Sequence, residues 1–382
     1  MNFEFLIEGV KSIFTGNGWM QPVMWLIGFI LIYLAIKRDM EPMLLLPIGI
    51  GCILVNIPGT NVLTQAGVEG EGILSWLFRV GIEASEAMPI LLFIGIGAMI
   101  DFGPLISNPK LMLLGGFAQL GIFVTIFIAV LIPGVFSIED AASIGIIGAA
   151  DGPTSILVAK TLGSAYLPAI TIVAYSYMAL VPIIQPPVIK LVTTRKQRLI
   201  RMDDQTIKPV PKLVKILFPI VVTIVAGLIA PKSLALIGFL MFGNLLRECG
   251  VVDQLSKTAQ HELVNIITLL LGITIASQMV ADKFLTLETL MIVGLGLFAF
   301  IFDTIGGVLF ADFMNLFLKK KINPMIGAAG ISAFPMSARV IHKMGRREDP
   351  TNYLLMHAVG ANVSGQVASA IVGGLIIALV MG

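Results

Sequence analysis

The chain has 382 residues, of which 57% are hydrophobic and 13% are charged, and its formal net charge is +2. Soluble domains have about 45–50% apolar and about 25% charged residues, so this composition argues strongly against a soluble fold. The 25 basic and 23 acidic residues nearly cancel, which leaves no basic surplus for nucleic acid. Cys52 and Cys249 lie apart in apolar stretches, unlike a disulfide scaffold or a structural zinc site. We therefore expect an all-α polytopic protein in a lipid bilayer.

Apolar segments long enough to cross a bilayer core of about 30 Å recur along the chain. The clearest lie near 20–37, 42–57, 111–135, 166–193, 213–230, 287–312 and 351–381, and less uniform ones lie near 87–104, 231–247 and 262–281. The sequence thus predicts about ten transmembrane helices. Residues 1–14 mix apolar and charged positions at helical spacing, which predicts an interfacial helix rather than a cleaved signal peptide.

The charged loops predict the orientation of these spans. Basic residues gather over 193–215, at 319–321 and over 339–347, whereas acidic residues predominate over 58–86 and at 139–140. Cytoplasmic loops carry an excess of lysine and arginine, so the three basic regions should face the cytoplasm. A count of about ten spans puts all three on one side.

Two apolar segments, 141–163 and 323–345, are interrupted by glycine, proline and small polar residues. We expect both to be re-entrant hairpins or broken helices, which membranes tolerate only where the backbone is buried in protein or lines a watery cavity. Shifted by 182 residues, they match at Ile144/Ile326, Gly145/Gly327, Gly148/Gly330, Pro153/Pro335, Ser155/Ser337, Val158/Val340 and Gly163/Gly345. An odd number of spans separates the copies, which predicts two inverted-topology repeats whose hairpin tips meet near the midplane, where a cation can bind.

These features divide the chain into five regions. They are an N-terminal interfacial helix with scaffold helices (1–86), the repeat 1 core helices with hairpin 141–163 (87–193), a basic cytoplasmic loop (194–212), scaffold helices of the second half (213–261), and the repeat 2 core helices with hairpin 323–345 (262–382). The scaffold spans 20–57 and 213–247 resemble each other in sequence. We expect them to mediate oligomer contacts while the hairpin-bearing helices move.

Asp151 lies at the interruption of the first hairpin. A carboxylate near the centre of a membrane segment costs about 2.5–3.5 kcal/mol on insertion scales, so it predicts a functional site. The alternative is a capping aspartate that binds the free amides after the break, and the two roles are compatible. Hard oxygen ligands such as Asp151, Thr154 and Ser155 suit sodium better than a transition metal.

Polar residues within the last span form a second candidate group: Asn362, Ser364, Gln366 and Ser369. Asn362, Gln366 and Ser369 share a helical face, and we favour ion coordination for Asn362 and Ser369, although packing of small residues explains part of the pattern. Tyr175 and Tyr177 occupy the corresponding place in the other repeat, as ligands, proton donors or partners in an interhelical hydrogen bond.

Charged residues outside these groups allow two interpretations each. Asp303 lies deep in an apolar run, where a functional role and a structural hydrogen bond are equally expected. Arg339 and Lys343 on the second hairpin could bind an anionic carboxyl group or anchor the chain on the cytoplasmic side.

The motifs GAADGPTSI, FDTIGGVLFA, ISAFPMSARV and GANVSGQVASA, in this order and spacing, resemble the β subunit of the bacterial sodium-pumping biotin-dependent decarboxylases. That family serves decarboxylases of oxaloacetate, methylmalonyl-CoA, glutaconyl-CoA and malonate. The resemblance covers nearly the whole chain. It implies a subunit of the bacterial cytoplasmic (inner) membrane that decarboxylates carboxybiotin, consumes a proton and exports Na+. It also implies three partners: a biotin carrier protein, a carboxyltransferase α subunit and a small membrane-anchored γ or δ subunit.

Carried over by motif, Asp151 would be the essential ion-binding carboxylate, Asn362 and a serine of its segment would be sodium ligands, and Tyr177 would assist sodium binding or proton delivery. Because no biotinylation motif of the Met-Lys-Met type occurs, the biotin must be attached to another chain. Two alternatives remain: a stand-alone sodium-coupled symporter or Na+/H+ antiporter, and a passive membrane anchor for a soluble decarboxylase.

Overall fold

The computed structural model describes residue 9 and residues 11–38, 42–65, 70–84, 86–202 and 209–382. The interfacial helix predicted over 1–14 lies largely outside these described residues. The α-helices are Met20–Arg38, Pro42–Val55, Ile73–Phe78, Ala87–Met99, Gly103–Ser107, Leu111–Phe117, Leu120–Val130, Ile138–Gly145, Gly152–Thr161, Leu167–Val192, Arg195–Arg198, Lys212–Ile229, Leu234–Cys249, Asp253–Thr258, Val264–Ala276, Ala281–Phe284, Leu287–Met314, Met336–Glu348 and Leu355–Met381.

Shorter elements connect these helices. The 3-10 helices are Ile146–Ala149, Pro231–Ser233 and Pro324–Gly330, and the π-helical turns are Arg79–Ala84 and Ala259–Leu263. A two-residue strand, Thr64–Gln65, pairs antiparallel with a second, Gly70–Glu71. The described chain is therefore almost entirely helical, as its composition predicts.

Among the described residues, seven helices are long and apolar enough to cross a membrane, and the bent pair Ile73–Ala84 with Ala87–Met99 makes eight if it is one span. The seven are Met20–Lys37, Leu111–Val130, Leu167–Val192, Lys212–Ile229, Asp253–Ala276, Leu287–Met314 and Leu355–Met381. Helices Pro42–Val55 and Leu234–Cys249 have 14 and 16 residues, fewer than a bilayer requires. The chain is thus a multi-pass membrane protein, and the total of about ten spans stays a prediction.

The chain divides into two compact units, Met1–Leu92 with Glu262–Ile292, and Phe93–His261 with Val293–Gly382. In the first unit, helices Met20–Arg38 and Pro42–Val55 cross at Gly28 and Gly49. A Cβ atom on either glycine would lie within 3 Å of the carbonyl oxygen of the other. Small residues let two membrane helices approach this closely.

The second unit contains two interrupted helical segments. The first broken segment, residues 138–161, consists of helix Ile138–Gly145, the 3-10 turn Ile146–Ala149 and helix Gly152–Thr161. Its start and its end meet, because the Asp140 carboxylate accepts a hydrogen bond from Ser164 Oγ at 2.6 Å. The first broken segment therefore turns back toward its own beginning.

The second broken segment, residues 324–348, consists of the 3-10 turn Pro324–Gly330 and helix Met336–Glu348, joined through a cis Phe334–Pro335 peptide bond. Asn323 Nδ2 before it and Asn352 Nδ2 after it both donate to the Ile200 carbonyl, at 2.9 and 3.1 Å. Both broken segments thus have their two ends close together.

Candidate functional site

The first broken segment is interrupted at Ala150 and Asp151. Ala150 has the left-handed conformation (φ 52°, ψ 43°) and ends the 3-10 turn, while Asp151 is extended (φ −128°, ψ 97°). Helix Gly152–Thr161 then begins with Pro153 in its first turn, where the missing N–H costs no hydrogen bond. Asp151 therefore stands at the N-terminus of a helix, whose partial positive charge favours a carboxylate.

Hydroxyl groups from two helices converge on the Asp151 carboxylate. Thr154 Oγ1 donates to Asp151 Oδ2 at 2.6 Å, and Ser369 Oγ of the C-terminal helix, Leu355–Met381, donates to the same oxygen at 3.1 Å. Only 4% of Asp151 is exposed. Ser155 Oγ instead donates to the backbone carbonyl of Asp151 at 2.8 Å. We call Asp151, Thr154 and Ser369 the Asp151 cluster.

The two broken segments touch at their interruptions. The backbone N–H of Ser332, just after the 3-10 turn of the second segment, donates to the Ala149 carbonyl of the first at 2.9 Å. Ser332 Oγ also donates to the Gly365 carbonyl of the C-terminal helix at 2.8 Å. The interruptions therefore meet beside one helix.

That helix presents one polar residue per turn to the interruptions. Asn362 Nδ2 donates to the carbonyls of Ala329 and Ile331, at 3.0 and 2.7 Å, and Gln366 Nε2 donates to the Ser332 carbonyl. The third polar residue on this face is Ser369 of the Asp151 cluster. The structure thus places the polar face of the C-terminal helix against both broken segments.

Two amide oxygens on this face, Asn362 Oδ1 and Gln366 Oε1, are buried without a hydrogen-bond partner among the described residues. Buried polar atoms nearly always have partners, so each unpaired oxygen calls for an explanation. Carboxylate, hydroxyl and amide oxygens are hard ligands that suit Na+. The chemistry of these oxygens therefore fits a cation.

The two candidate tyrosines occupy different surroundings. The Tyr175 ring lies so close to Gly152 that a Cβ atom there would overlap it, and the Tyr175 hydroxyl is buried without a partner among the described residues. Tyr177 instead donates its hydroxyl to the Val293 carbonyl. The ring beside the interruption is therefore that of Tyr175, two residues before Tyr177.

Three other candidates lie apart from the Asp151 cluster. Ser364 Oγ donates to the carbonyls of Leu111 and Ala361, at 3.0 and 2.7 Å, which engages it in packing against helix Leu111–Phe117. Arg339 and Lys343 lie on the exposed side of helix Met336–Glu348. Both cations are therefore exposed, whereas Asp151 is buried.

Asp303 forms a separate buried carboxylate. Its Oδ1 accepts a hydrogen bond from the Ile122 N–H at 3.2 Å, while its Oδ2 has no partner among the described residues. A Cβ atom on Gly148 would overlap Asp303 Oδ2, so the carboxylate lies directly against the first broken segment. Asp303 therefore contacts the first broken segment at Gly148, in the 3-10 turn before the interruption.

Sequence reasoning missed Ser332 and Gln185 as members of this region. Gln185 Nε2 donates to the Ala328 carbonyl at 2.8 Å, and its Oε1 accepts from Ser337 Oγ at 3.1 Å. A signal was present for Gln185, because a polar residue inside a long apolar span is costly unless it has a partner. Ser332 had no such signal, because its contacts depend on how the two segments meet.

The sequence profile of one protein family, the Na+-transporting oxaloacetate decarboxylase beta subunit, matches residues 20–380. The methylmalonyl-CoA decarboxylase subunit beta of Propionigenium modestum is 48% identical over 376 residues, which cover 94% of each chain. The glutaconyl-CoA decarboxylase subunit beta of Acidaminococcus fermentans is 48% identical over 369 residues, covering 97% of this chain and 96% of the relative. The oxaloacetate decarboxylase beta chain of Klebsiella pneumoniae is 42% identical, covering 98% of each chain.

Proposed function

Because the chain belongs to the family of Na+-transporting oxaloacetate decarboxylase beta subunits, we propose that it decarboxylates carboxybiotin and couples this step to Na+ export. A biotin carrier protein would deliver the carboxybiotin, after a carboxyltransferase α subunit has loaded it. A small membrane-anchored γ or δ subunit would complete the complex in the bacterial inner membrane. The bond between the biotin nitrogen and the carboxyl carbon breaks, CO2 leaves, and the nitrogen takes up one proton.

The observation that carries the proposal is the Asp151 cluster beside the two unpaired amide oxygens. Serine and threonine hydroxyls can donate a hydrogen bond or offer lone pairs to a cation. In the structure, Thr154 and Ser369 donate to the carboxylate. When Na+ enters, the same hydroxyls would turn their lone pairs to the ion, and Asn362 Oδ1 and Gln366 Oε1 would complete its shell.

The proton that decarboxylation consumes would reach the biotin nitrogen from the same region. A proton bound at Asp151 or at a tyrosine hydroxyl would replace Na+ as the ion leaves to the outside. Tyr175 packs on Gly152 at the interruption, and Tyr177 lies one half-turn further along the same helix. We propose one of these two phenols as a proton carrier.

We propose Arg339 and Lys343 as the binding site for the carboxyl group of carboxybiotin. Both are exposed on one side of helix Met336–Glu348, where a carrier protein can reach them. Two cations suit an anionic carboxyl group, because charge-assisted hydrogen bonds to carboxylates are the stronger ones. The N-terminal end of this helix follows the interruption that touches Ala149, so docking and ion binding would share one broken segment.

We further propose that the broken segments are re-entrant hairpins within two inverted repeats. Each has a 3-10 turn, an interruption and then a helix, in the same order. Each also has its two ends close together, at Asp140 and at Ile200. An element that enters and leaves a membrane on one side requires this closure. In this arrangement the scaffold helices would form a homo-oligomer.

Sodium transport by the purified protein in vesicles tests the proposed function. We expect 22Na+ uptake when the chain is supplied with a carboxylated biotin carrier, and none with the chain alone. Uptake by the chain alone would instead indicate a secondary transporter, and the absence of both carboxybiotin turnover and Na+ movement would indicate a passive anchor. Asp151→Asn should abolish uptake and Na+-dependent CO2 release together.

Asp253→Asn is the matched control for this experiment. Asp253 is an exposed carboxylate on helix Asp253–Thr258, so its neutralisation removes the same charge outside the site. We expect normal coupling in this variant. Full Na+-coupled decarboxylation by Asp151→Asn would contradict the proposed role of the cluster.

A further inference from the structure

A basic cavity lies at one end of several membrane helices of the second unit. It has a volume of about 230 Å³, and three lysines, Lys110, Lys320 and Lys321, are among the residues that line it. None of the described residues that line it is acidic. The apolar residues that line it include Leu111, Met314 and Leu318. We call this cavity the lysine pocket.

The lysine pocket lies where three candidate spans end. Met314, the last residue of span Leu287–Met314, lines the pocket, as does Leu111, the first residue of span Leu111–Val130. His357, in the first turn of Leu355–Met381, lines it as well. Lysine-rich ends of membrane spans face the cytoplasm, where the leaflet carries anionic lipids. The pocket therefore opens at the depth of lipid headgroups.

Apolar side chains beside the lysines reach outward. Leu316 and Phe317, next to the loop that carries Lys320 and Lys321, are 76% and 75% exposed. Met112 and Leu113, which follow Lys110, are exposed as well. Large exposed apolar residues beside lysines suit contact with lipid acyl chains, because the acyl chains would cover apolar surface that otherwise faces water. A soluble anion would use the lysines but not these neighbours.

The shape of the loop that carries two of the lysines is fixed by hydrogen bonds. Asn315 Nδ2 donates to the Ile322 carbonyl at 2.9 Å, and the Ile322 N–H donates back to Asn315 Oδ1 at 2.8 Å. Asn323 Nδ2 then joins the end of the loop to the Arg198 carbonyl at 2.8 Å. The two lysines are therefore held on a closed loop.

We propose that the lysine pocket binds the headgroup of an anionic phospholipid of the cytoplasmic leaflet. The phosphate would lie among Lys110, Lys320 and Lys321, and the acyl chains would leave past Leu316 and Phe317. Basic pockets between membrane helices bind lipid headgroups through this combination of charge and an apolar exit. The site is separate from the Asp151 cluster and does not depend on the proposed transport mechanism.

Native mass spectrometry of the full chain, purified with the subunits that remain bound, tests this proposal. The protein in neutral detergent is titrated with phosphatidylglycerol and, separately, with phosphatidylcholine. We expect a retained phosphatidylglycerol whose affinity falls about a hundredfold in the triple variant K110Q/K320Q/K321Q. Each single variant should lose about fivefold, which keeps the test decisive if the triple variant does not fold.

The matched control is K196Q/K232Q/K257Q, which removes three exposed lysines outside the pocket. It should retain phosphatidylglycerol as the unmodified protein does. Equal retention of phosphatidylcholine, or an equal loss of affinity in the control, would overturn the proposal. Displacement of the lipid by inorganic phosphate or glycerol phosphate would show instead that the pocket takes a soluble anion, which also overturns it.

Discussion

At the scale of single residues, the Asp151 carboxylate is stabilised before any cation arrives. A helix N-terminus and two hydroxyl donors replace part of the water that burial removes. In the proposed function, Na+ would therefore compete with these existing hydrogen bonds rather than enter a vacant charge site. This competition favours reversible binding, which a transport cycle requires.

Ser369→Ala tests whether Ser369 belongs to the proposed Na+ site. The substitution removes one hydroxyl donor to Asp151 Oδ2 and one proposed ligand, so we expect the Na+ concentration for half-maximal decarboxylation to rise about tenfold. Ser143→Ala is the control, because Ser143 Oγ is bound to the Glu139 carbonyl of its own helix. An unchanged Na+ dependence in Ser369→Ala would remove Ser369 from the site.

Gly152→Ala should disturb the interruption through Tyr175. The added Cβ would overlap the Tyr175 ring, so we expect a large loss of Na+-coupled activity. Gly152→Ala combined with Tyr175→Leu should bind Na+ better than Gly152→Ala alone, because the smaller side chain relieves the overlap. Gly294→Ala is the control, since no atom outside its chain neighbours and the adjoining backbone of its own helix lies within 4 Å of the added Cβ. Additive effects of the two substitutions on Na+ binding would contradict direct contact.

The sequence placed Asp151 at an interruption; the repeat alignment left Tyr175 and Tyr177 both open, and the family resemblance implied Tyr177, whereas the ring beside Gly152 is that of Tyr175. Residues two apart in a helix point to nearly opposite sides, so only the rotation of helix Leu167–Val192 determines which one faces Gly152. That rotation depends on packing between helices distant in sequence. Whether the side-chain oxygens of Asn362 and Gln366 find hydrogen-bond partners also depends on packing between helices distant in sequence, so the sequence does not reveal it.

At the scale of elements, hydrophobic length predicted most spans but not their interruptions. The span predicted over 111–135 is divided into Leu111–Phe117 and Leu120–Val130. At the division, the Gln119 side-chain amide donates to the Gly115 carbonyl at 3.1 Å and lies 3.4 Å from the Gly330 carbonyl. Because Gly330 belongs to the second broken segment, hydropathy alone does not reveal this division.

Asn56 joins three parts of the first unit. Its amide donates to the carbonyls of Cys52 and Met279, at 2.8 and 2.7 Å, and accepts from the Ala281 N–H at 2.8 Å. We expect Asn56→Ala to lower the free energy of unfolding by about 2–4 kcal/mol, since it leaves buried groups unpaired. Asn61→Ala, at an exposed position, should change it by less than about 0.5 kcal/mol. Denaturant titration in detergent measures both, and equal effects would contradict this role.

Asp101 joins the ends of three helices of the second unit, lying 3.3 Å from Lys215 Nζ and 4.0 Å from Arg247 Nη2. Burial raises the pKa of Asp101, but the Gly103 N–H and these two cations together lower it below its ordinary value of 3.8. A lowered pKa in the folded state stabilises the protein above pH 3.8, and this contribution disappears as the pH falls through the folded-state pKa.

Asp101→Asn should therefore lower the free energy of unfolding by about 1 kcal/mol at neutral pH, the ordinary range for a partly exposed pair. The difference from the unmodified protein should shrink as the pH is lowered below the ordinary carboxyl range. Thermal unfolding in detergent over this pH series measures it. A difference that stays constant with pH would exclude the ion pairs as its cause.

At the scale of the whole molecule, the family was predictable from the motifs around the two interruptions, and the match over residues 20–380 confirms it. Two of the four motifs lie in the broken segments, and the other two lie in the helices Leu287–Met314 and Leu355–Met381. These motifs do not reveal which acid or acyl-CoA the decarboxylase uses as substrate, since relatives named for different substrates are almost equally similar to this chain. The inverted arrangement of the repeats stays a prediction from the shifted matches.

Two single cysteines test the inverted repeats. Ala165 and Arg347 are exposed and correspond under the shift of 182 residues; Ala165 follows the first broken segment and Arg347 lies in the last turn of the second. In a Cys52→Ala/Cys249→Ser background, an impermeant thiol reagent should label Ala165→Cys only from outside and Arg347→Cys only from the cytoplasmic side. Right-side-out and inverted vesicles compare the two. Labelling of both from one side would show that the repeats are parallel.

The bonds at Ile200, together with two ion pairs beside it, join the chain before residue 202 to the chain after residue 209 independently of the peptide bonds between them. Arg198 bonds to Glu348 at 2.8 Å, and Arg201 bonds to Asp349 at 2.6 Å. A chain cleaved between residues 202 and 209 would keep these contacts, because each joins a residue before the cut to one after it. The protein should therefore tolerate production as two separately translated polypeptides, and proteolytic cleavage between residues 202 and 209 would not by itself release the second broken segment from its partners.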